Sequence, residues 1–269
     1  MSQVDYRGQT TLITGASSGI GAEFARQLAE RGSDLVLVAR RRERLEALAA
    51  ELVSAYGVAV VPLPFDLGQP LAGEALAAEA ARRGLAVTSL VNNAGFGTFG
   101  PFHRENPDRL REEIALDVTA VVDISRAFIE QLRSAGRGVL VNVASMAAYQ
   151  PDPQMAVYGA TKAFVLSFTE ALWYESRGTG LRVIAVSPGA TRTEFFDVVG
   201  TLDAAGGTKL SEPGDVVRDA LRALDRRNPP PSVISGRLNH AMALAGRLVS
   251  RRRMVNTLGR MTARTAPVA

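Results

Sequence analysis

The sequence predicts an α/β fold of the doubly wound, three-layer Rossmann-like kind, with a central parallel sheet of about seven strands. Short β-branched runs alternate with longer helical patterns, which indicates βαβ units and so parallel strands. Runs such as Leu35-Val36-Leu37-Val38 are continuously apolar, as in strands covered on both faces. The first strand also opens into a glycine-rich turn, Thr14-Gly15-Ala16-Ser17-Ser18-Gly19-Ile20-Gly21, followed at once by a helical pattern.

In chain order, strands are expected at Thr10–Thr14, Leu35–Ala39, Val58–Leu63, Ser89–Asn92, Val139–Val143, Val183–Ser187 and Ser232–Ile234. Helical patterns lie near 20–31, 41–56, 71–83, 107–135, 156–177 and 213–226. No repeat, linker or composition break precedes residue 200, so residues 1–269 are read as one domain. Two segments differ from this rhythm. Residues 194–211 carry Phe195-Phe196 and then small residues with little periodicity, the mark of a functional loop or substrate lid. Residues 237–269 form a basic helical extension with apolar spacing at Ala241, Leu244, Leu248 and Val255, which Arg251 and Arg252 interrupt.

Composition narrows the function. With 269 residues and 46% hydrophobic content the chain can bury a sizeable core. There is no cysteine, which excludes thiolate metal sites and cysteine nucleophiles, and His103 and His240 are too few and too far apart to suggest a metal centre. The start of the chain lacks the basic and apolar stretches of a signal peptide, and no apolar run is long enough to span a membrane, so a cytoplasmic location is expected. The net charge of +4 is uneven, because residues 237–269 hold seven arginines and no acid. The body is mildly acidic, which argues against a nucleic-acid surface. The Arg251-Arg252-Arg253 cluster suits a solvated face, an oligomer contact, a substrate cover or a membrane contact.

The turn after the first strand suits a dinucleotide. Its glycines allow close backbone approach, and the following helix offers free N–H groups and a positive dipole end to a pyrophosphate. NAD-binding units place an acidic side chain about 20 residues on, at the end of the next strand, to accept ribose hydroxyls. Here that strand ends Val38-Ala39-Arg40-Arg41-Arg42, with no acid. A guanidinium grips a 2′-phosphate that a carboxylate would repel, so NADP(H) is favoured over NAD(H), with Arg40 the first candidate and Arg41 the second.

These residues, with others downstream, resemble the short-chain dehydrogenase/reductase family in its single-domain branch. The resemblance covers about residues 8–195: the Thr14–Gly21 turn, Asp66 after the third strand, Asn92-Asn93-Ala94-Gly95 after the fourth and Ser145 after the fifth. Tyr158-Gly159-Ala160-Thr161-Lys162 and Pro188-Gly189-Ala190-Thr191-Arg192-Thr193 complete it. It implies interconversion of a carbonyl compound and its alcohol by hydride transfer, with Ser145 holding the carbonyl and Tyr158 moving the proton. By the same resemblance Lys162 binds the nicotinamide ribose, Asp66 and Leu67 sit beside the adenine, and Asn93, Ala94 and Gly95 line the cofactor path. Pro188, Gly189, Thr191 and Thr193 would lie along the nicotinamide end, and Gly15, Ser17, Ser18, Gly19, Ile20 and Gly21 along the pyrophosphate. Relatives are commonly homodimers or homotetramers.

The physical reading agrees. Tyr158 and Lys162 stand four apart on one helix face, and Ser145 closes a strand at the sheet edge where such folds bind ligands. Moving a phenol from about 10 to near 7 takes ~4 kcal/mol, roughly what an ammonium ~4 Å away supplies at an effective dielectric of ~20. Of 31 basic residues only Lys162 and Lys209 are lysine, so the lysine at 162 is a specific choice.

One position departs from the family, which usually has asparagine in the long fourth helix for proton relay. Ile114-Ala115-Leu116-Asp117-Val118-Thr119 has Asp117 there, which keeps an acceptor, loses a donor and adds a charge. The residues thus predict an NADPH-dependent carbonyl reductase, the alternative being a catalytically impaired cofactor-binding regulator on the same scaffold. Phe96, Phe99, Met146, Tyr149, Met155, Phe195 and Phe196 lie on segments near the expected pocket and hint at an apolar substrate.

Overall fold

A computed structural model describes residues 4–246 and 248–263. Its seven strands are β1 Thr10–Thr14, β2 Asp34–Ala39, β3 Val60–Pro64, β4 Ser89–Asn92, β5 Val139–Val143, β6 Arg182–Ser187 and β7 Ser232–Ile234. They form one parallel sheet in the order β3-β2-β1-β4-β5-β6-β7. The order reverses between β1 and β4, and at such a switch point the loops part and leave a crevice at the strands' C-terminal ends.

Period-two alternation sorts the strand side chains between two covered faces. In β2, Leu35 and Leu37 join one core cluster while Val36 and Val38 join the other. On the first face pack α1 (Gly19–Glu30), α2 (Arg42–Tyr56) and α8 (Pro213–Leu224), through Phe24, Leu28, Leu45, Val217 and Leu221. On the second pack α3 (Ala72–Arg82) and α5 (Ala120–Ala135), through Leu76, Ile124, Phe128 and Leu132. Helix α6 (Ala156–Glu175) covers the same side of β5 and β6 through Val165 and Leu166. The three layers match the expected fold.

Local signals set the element ends. Helix α2 stops at Gly57 and α5 at Gly136, both left-handed, with φ of 68° and 62°. Helix α4 (Pro107–Ile114) starts where Asn106 Oδ1 accepts the N–H groups of Asp108 and Arg109 and Pro107 takes the first helical position.

The helix expected over 107–135 is interrupted. Residues Ala115–Thr119 form a π turn, in which Ala120 N–H bonds the carbonyl of Ala115. Such an inserted residue turns the helix face that follows it and often marks a functional position. Residues 194–211 also carry more structure than expected: α7 (Phe195–Val199) and a 3₁₀ turn at Leu202–Ala205. The bonds Arg192 N–H to Ser211 and Ser211 N–H to Ala190 pin the base of this excursion. The basic extension divides into α9 (Arg237–Gly246) and α10 (Arg251–Ala263), breaking just before its arginine cluster. Leu244 and Leu248 are exposed, so their spacing does not mark a buried face. Among the described residues no helix is long and apolar enough to cross a membrane.

A buried polar ladder ties the sheet to α6. Asn92 on β4 donates to Asn142 on β5, which donates to Thr169 on α6, each at 2.9 Å. These bonds fix the register between the sheet and the helix carrying Tyr158 and Lys162. Asn142 is fully buried, so Asn142→Ala should cost about 3 kcal/mol from two broken bonds and a small cavity. Urea unfolding of the two proteins reads this directly, and a loss below about 1 kcal/mol would mean that the ladder adds little.

Candidate active site

One cavity of about 790 Å³ runs along the C-terminal ends of the strands, from Arg40 and Arg41 to Tyr158 and Phe195. Apart from Gly21 and Asp117, every site residue expected from the sequence lines it. Gly21 has a packing role, since a Cβ there would collide with the Gly15 carbonyl and Asn93. Asp117 lies behind the wall, beneath Lys162.

At the nucleotide end, Thr14 Oγ1 accepts the N–H groups of Asn93 and Ala94, and Asn93 Nδ2 donates back to the carbonyls of Thr14 and Gly15. These bonds clamp the turn after β1 to the loop after β4. Gly15 has φ of 66° and abuts Asn93 and Ala94, so a side chain there would be both strained and obstructed. Ser18 precedes α1 in an extended conformation without capping the helix, which leaves the N-terminal N–H groups directed at the cavity. A pyrophosphate fits this cradle of open glycines and free donors.

The two arginines after β2 differ. Arg41 stands at the N-cap of α2, and its guanidinium donates to Ser17 and Ser18 and pairs with Glu194 at 2.8 Å. Arg44 binds the same Glu194, and hydrogen bonds from Arg44, Arg41 and Ser18 hold its carboxyl down at about 2. Arg40 is exposed on the cavity rim. Asp66 Oδ1 accepts the N–H of Gly68, shaping the loop after β3, and Leu67 beside it is buried.

At the other end, Ser145 follows β5 in an extended conformation and accepts the N–H of Ala147. Its hydroxyl is hydrogen-bonded to Tyr158. Lys162, one turn further along α6, lies 2.9 Å from Asp117 Oδ2, 3.4 Å from the Val143 carbonyl and 5.6 Å from the centre of the Tyr158 ring. Asp117 is wholly buried in the π turn, and its Oδ1 accepts the N–H of Phe96 at 3.0 Å.

Burial governs the electrostatics here. It pushes the Tyr158 phenol above its ordinary value, against the pull of Lys162 and the Ser145 hydrogen bond, while Asp117 adds to the rise. The expected fall toward neutrality is therefore absent in the protein's own field, because the desolvation of a buried phenolate exceeds the attraction of an ammonium already shared with Asp117. Burial alone would draw Lys162 down, but Asp117 and Tyr158 outweigh it and its ammonium lies above the usual value. Burial also raises Asp117, opposed by Lys162 and the Phe96 N–H. The close contact and the stabilised ammonium describe a charge-separated pair.

The apolar end is built by Phe96, Phe99, Met146, Met155, Phe195 and Phe196. The Phe195 ring packs on Tyr158 with centroids 5.2 Å apart, shielding the phenol. Tyr149 is the exception: it packs with Ala144 and Val165 outside the cavity, near Ser187. Sequence reasoning missed several wall residues, among them Arg109, Gln150, Asp152, Asn239, Met242 and Leu258. Asp152, raised to about 6 by burial, carried no motif signal beyond its place between Ser145 and Tyr158. The last three come from α9 and α10, so the basic extension borders the cavity.

Comparison with known proteins gives the family of this fold. The family profile described as short chain dehydrogenase matches residues 9–201. The chain belongs to the short-chain dehydrogenase/reductase family. It is an oxidoreductase by that membership. It is 38% identical over 202 residues to a sulfoacetaldehyde reductase of Chromohalobacter salexigens, covering 74% of this chain and 77% of that one. A 7beta-hydroxysteroid dehydrogenase of Collinsella aerofaciens is 33% identical over 235 residues, 86% of this chain and 88% of that one. Among solved structures, a short-chain dehydrogenase from Sphingobium yanoikuyae in complex with NADPH superposes with a TM-score of 0.77 at 36% identity, covering 93% of this chain and 95% of the other.

Gly95 shows how tightly this corner is built. A Cβ there would lie 2.9 Å from Asp117 Oδ1 and 3.1 Å from Lys162 Nζ. Gly95→Ala should force the buried pair apart, lowering stability by about 1–3 kcal/mol and turnover at least tenfold. Thermal unfolding and steady-state rates check this, and a variant with wild-type values in both would show that the pair tolerates displacement.

Proposed function

We propose that the protein is an NADP(H)-dependent reductase of apolar ketones or aldehydes, running the alcohol oxidation in reverse. The observation that carries this reading is the convergence of Ser145, Tyr158 and Lys162 at the apolar end of a cavity whose other end carries Arg40 and Arg41. NADPH, when bound, supplies the hydride. Ser145 donates a hydrogen bond to the substrate carbonyl, and Tyr158 passes its hydroxyl proton to the oxygen as negative charge develops there. Lys162 stabilises the phenolate left behind and reaches the ribose hydroxyls. The Phe195 ring keeps water from the phenol.

Arg41 takes the leading place for the 2′-phosphate, because its guanidinium is already aimed at Ser17 and Ser18, with Arg40 on the rim as the second contact. The NADPH complex of the Sphingobium yanoikuyae relative supports NADP(H) as the cofactor. Residues 194–211, with Asn239, Met242 and Leu258, form the substrate cover, and the basic extension belongs to that cover rather than to a membrane contact. The named relatives act on a sulfonated aldehyde and on a steroid, and the aromatic and methionine walls here favour the bulky apolar class.

Two measurements test the proposal together. NADPH oxidation over a panel of ketones and aldehydes should show turnover that falls ~10²–10⁴-fold in Tyr158→Phe, with NADPH affinity nearly unchanged. Fluorescence titration should give NADPH at least tenfold tighter binding than NADH, about 1.4 kcal/mol, and Arg41→Ala should remove most of that preference. A Tyr158→Phe variant with half its activity, or equal affinities for the two cofactors, would refute the corresponding part.

A further inference from the structure

Beside the Asp117–Lys162 pair lies a second carboxyl that the reaction above does not use. Glu113 closes α4, four residues before Asp117, and like Asp117 it is wholly buried. Thr98 Oγ1 donates to its Oε2 at 2.9 Å, while its Oε1 is buried without a hydrogen-bond partner. Leaving that oxygen unpaired in a buried site costs far less for a neutral carboxyl than for a carboxylate, whose charge would lack compensation. Charge points the same way. Lys162 and Asp117 already balance, so a second ionised carboxylate would leave a net negative charge in a space closed to water.

We propose that Glu113 is a positioning residue for the catalytic tyrosine: its neutral carboxyl leaves Asp117 as the sole anion on Lys162, and its ionisation draws that ammonium's field away from Tyr158. The proposal rests on the reductase reading for its catalytic consequence. The charged groups facing Glu113 are Asp117 from the π turn, Lys162 from α6 and Glu105 from the loop before α4. Burial is the largest influence and raises the carboxyl. Thr98 opposes this, Asp117 and Glu105 add to it, Lys162 lowers it, and the result is about 7. Glu113 thus changes charge where the enzyme works. Ionised Glu113 also raises Lys162, so a proton lost at one end of this buried row is felt at the other. No sequence motif marks the position.

The test joins a pH–rate profile to a readout that needs no turnover. Folding favours the protonated carboxyl, so this contribution to stability is complete below the ordinary carboxylate range and is lost as pH rises through about 7. Wild-type melting temperature should therefore fall from about pH 4.5 to 7, levelling off above, more steeply than that of Glu113→Gln, which keeps the shape and carries no charge. Thr98→Val removes the bond that favours ionisation and should move the same inflection upward by about half a pH unit or more. In alcohol oxidation under a full deuterium isotope effect, the inflection near neutrality should vanish in Glu113→Gln and shift in Thr98→Val. Superimposable stability and rate profiles for wild type and Glu113→Gln would overturn the proposal. Absence of any carbonyl turnover in the wild type would instead fail the reductase reading, while the stability difference would still report Glu113.

Discussion

The structure is organised around one buried ion pair. Lys162 and Asp117 meet at 2.9 Å with almost no solvent contact, and either charge alone would cost several kcal/mol in that position. Four segments converge to hold them: α6 supplies the ammonium and the π turn before α5 supplies the carboxylate. The end of β5 contributes the Val143 carbonyl, and the loop after β4 contributes the Phe96 N–H and the bare Cα of Gly95. The switch point between β1 and β4 brings these segments together, and the ladder Asn92–Asn142–Thr169 fixes α6 against the sheet. The cavity is therefore a consequence of strand order, and its reactive end a consequence of the pair.

That pair also changes the electrostatics of the tyrosine. An ammonium acting alone would lower a nearby phenol, but this ammonium divides its field between a phenol and a carboxylate. Burial then decides the sign, and Tyr158 lies above its ordinary value. A phenol that holds its proton suits donation to a carbonyl better than abstraction from an alcohol. In the proposed mechanism, the aspartate at 117 therefore bears on the direction in which the enzyme works best.

Much of this was legible in the residues. The seven strands stand out because β2 and its neighbours are apolar on both faces, and β2 divides its side chains cleanly between the two cores. Ser145, Tyr158 and Lys162 were legible through the family resemblance, with the spacing of four placing the last two on one helix face, and Asp117 stood out as an exception to the family pattern. What escaped was decided by tertiary geometry. Periodicity cannot see a π turn, so the 107–135 helix read as unbroken and nothing singled out Glu113. Arg40 and Arg41 are neighbours of identical chemistry, and no sequence signal records that Arg41 meets Ser17 and Ser18 while Arg40 is exposed. Tyr149 shares a loop with Met146, yet one packs outside the cavity and the other lines it. The wall from Asn239, Met242 and Leu258 depends on how the chain's last helices fold back, which no local pattern records.

The central claim is that Asp117 restrains the acidity of Tyr158 through Lys162. The most direct measurement is the pH dependence of alcohol oxidation in Asp117→Asn against wild type, with a deuterium isotope effect confirming that hydride transfer limits both. In the proposed mechanism oxidation needs the tyrosinate, so its rate rises with pH through the tyrosine's titration. With the carboxylate replaced by a neutral amide and Lys162 still charged, the ascending limb should move to lower pH by about one unit. A limb that stays in place, or moves to higher pH, with the isotope effect intact, would contradict the account.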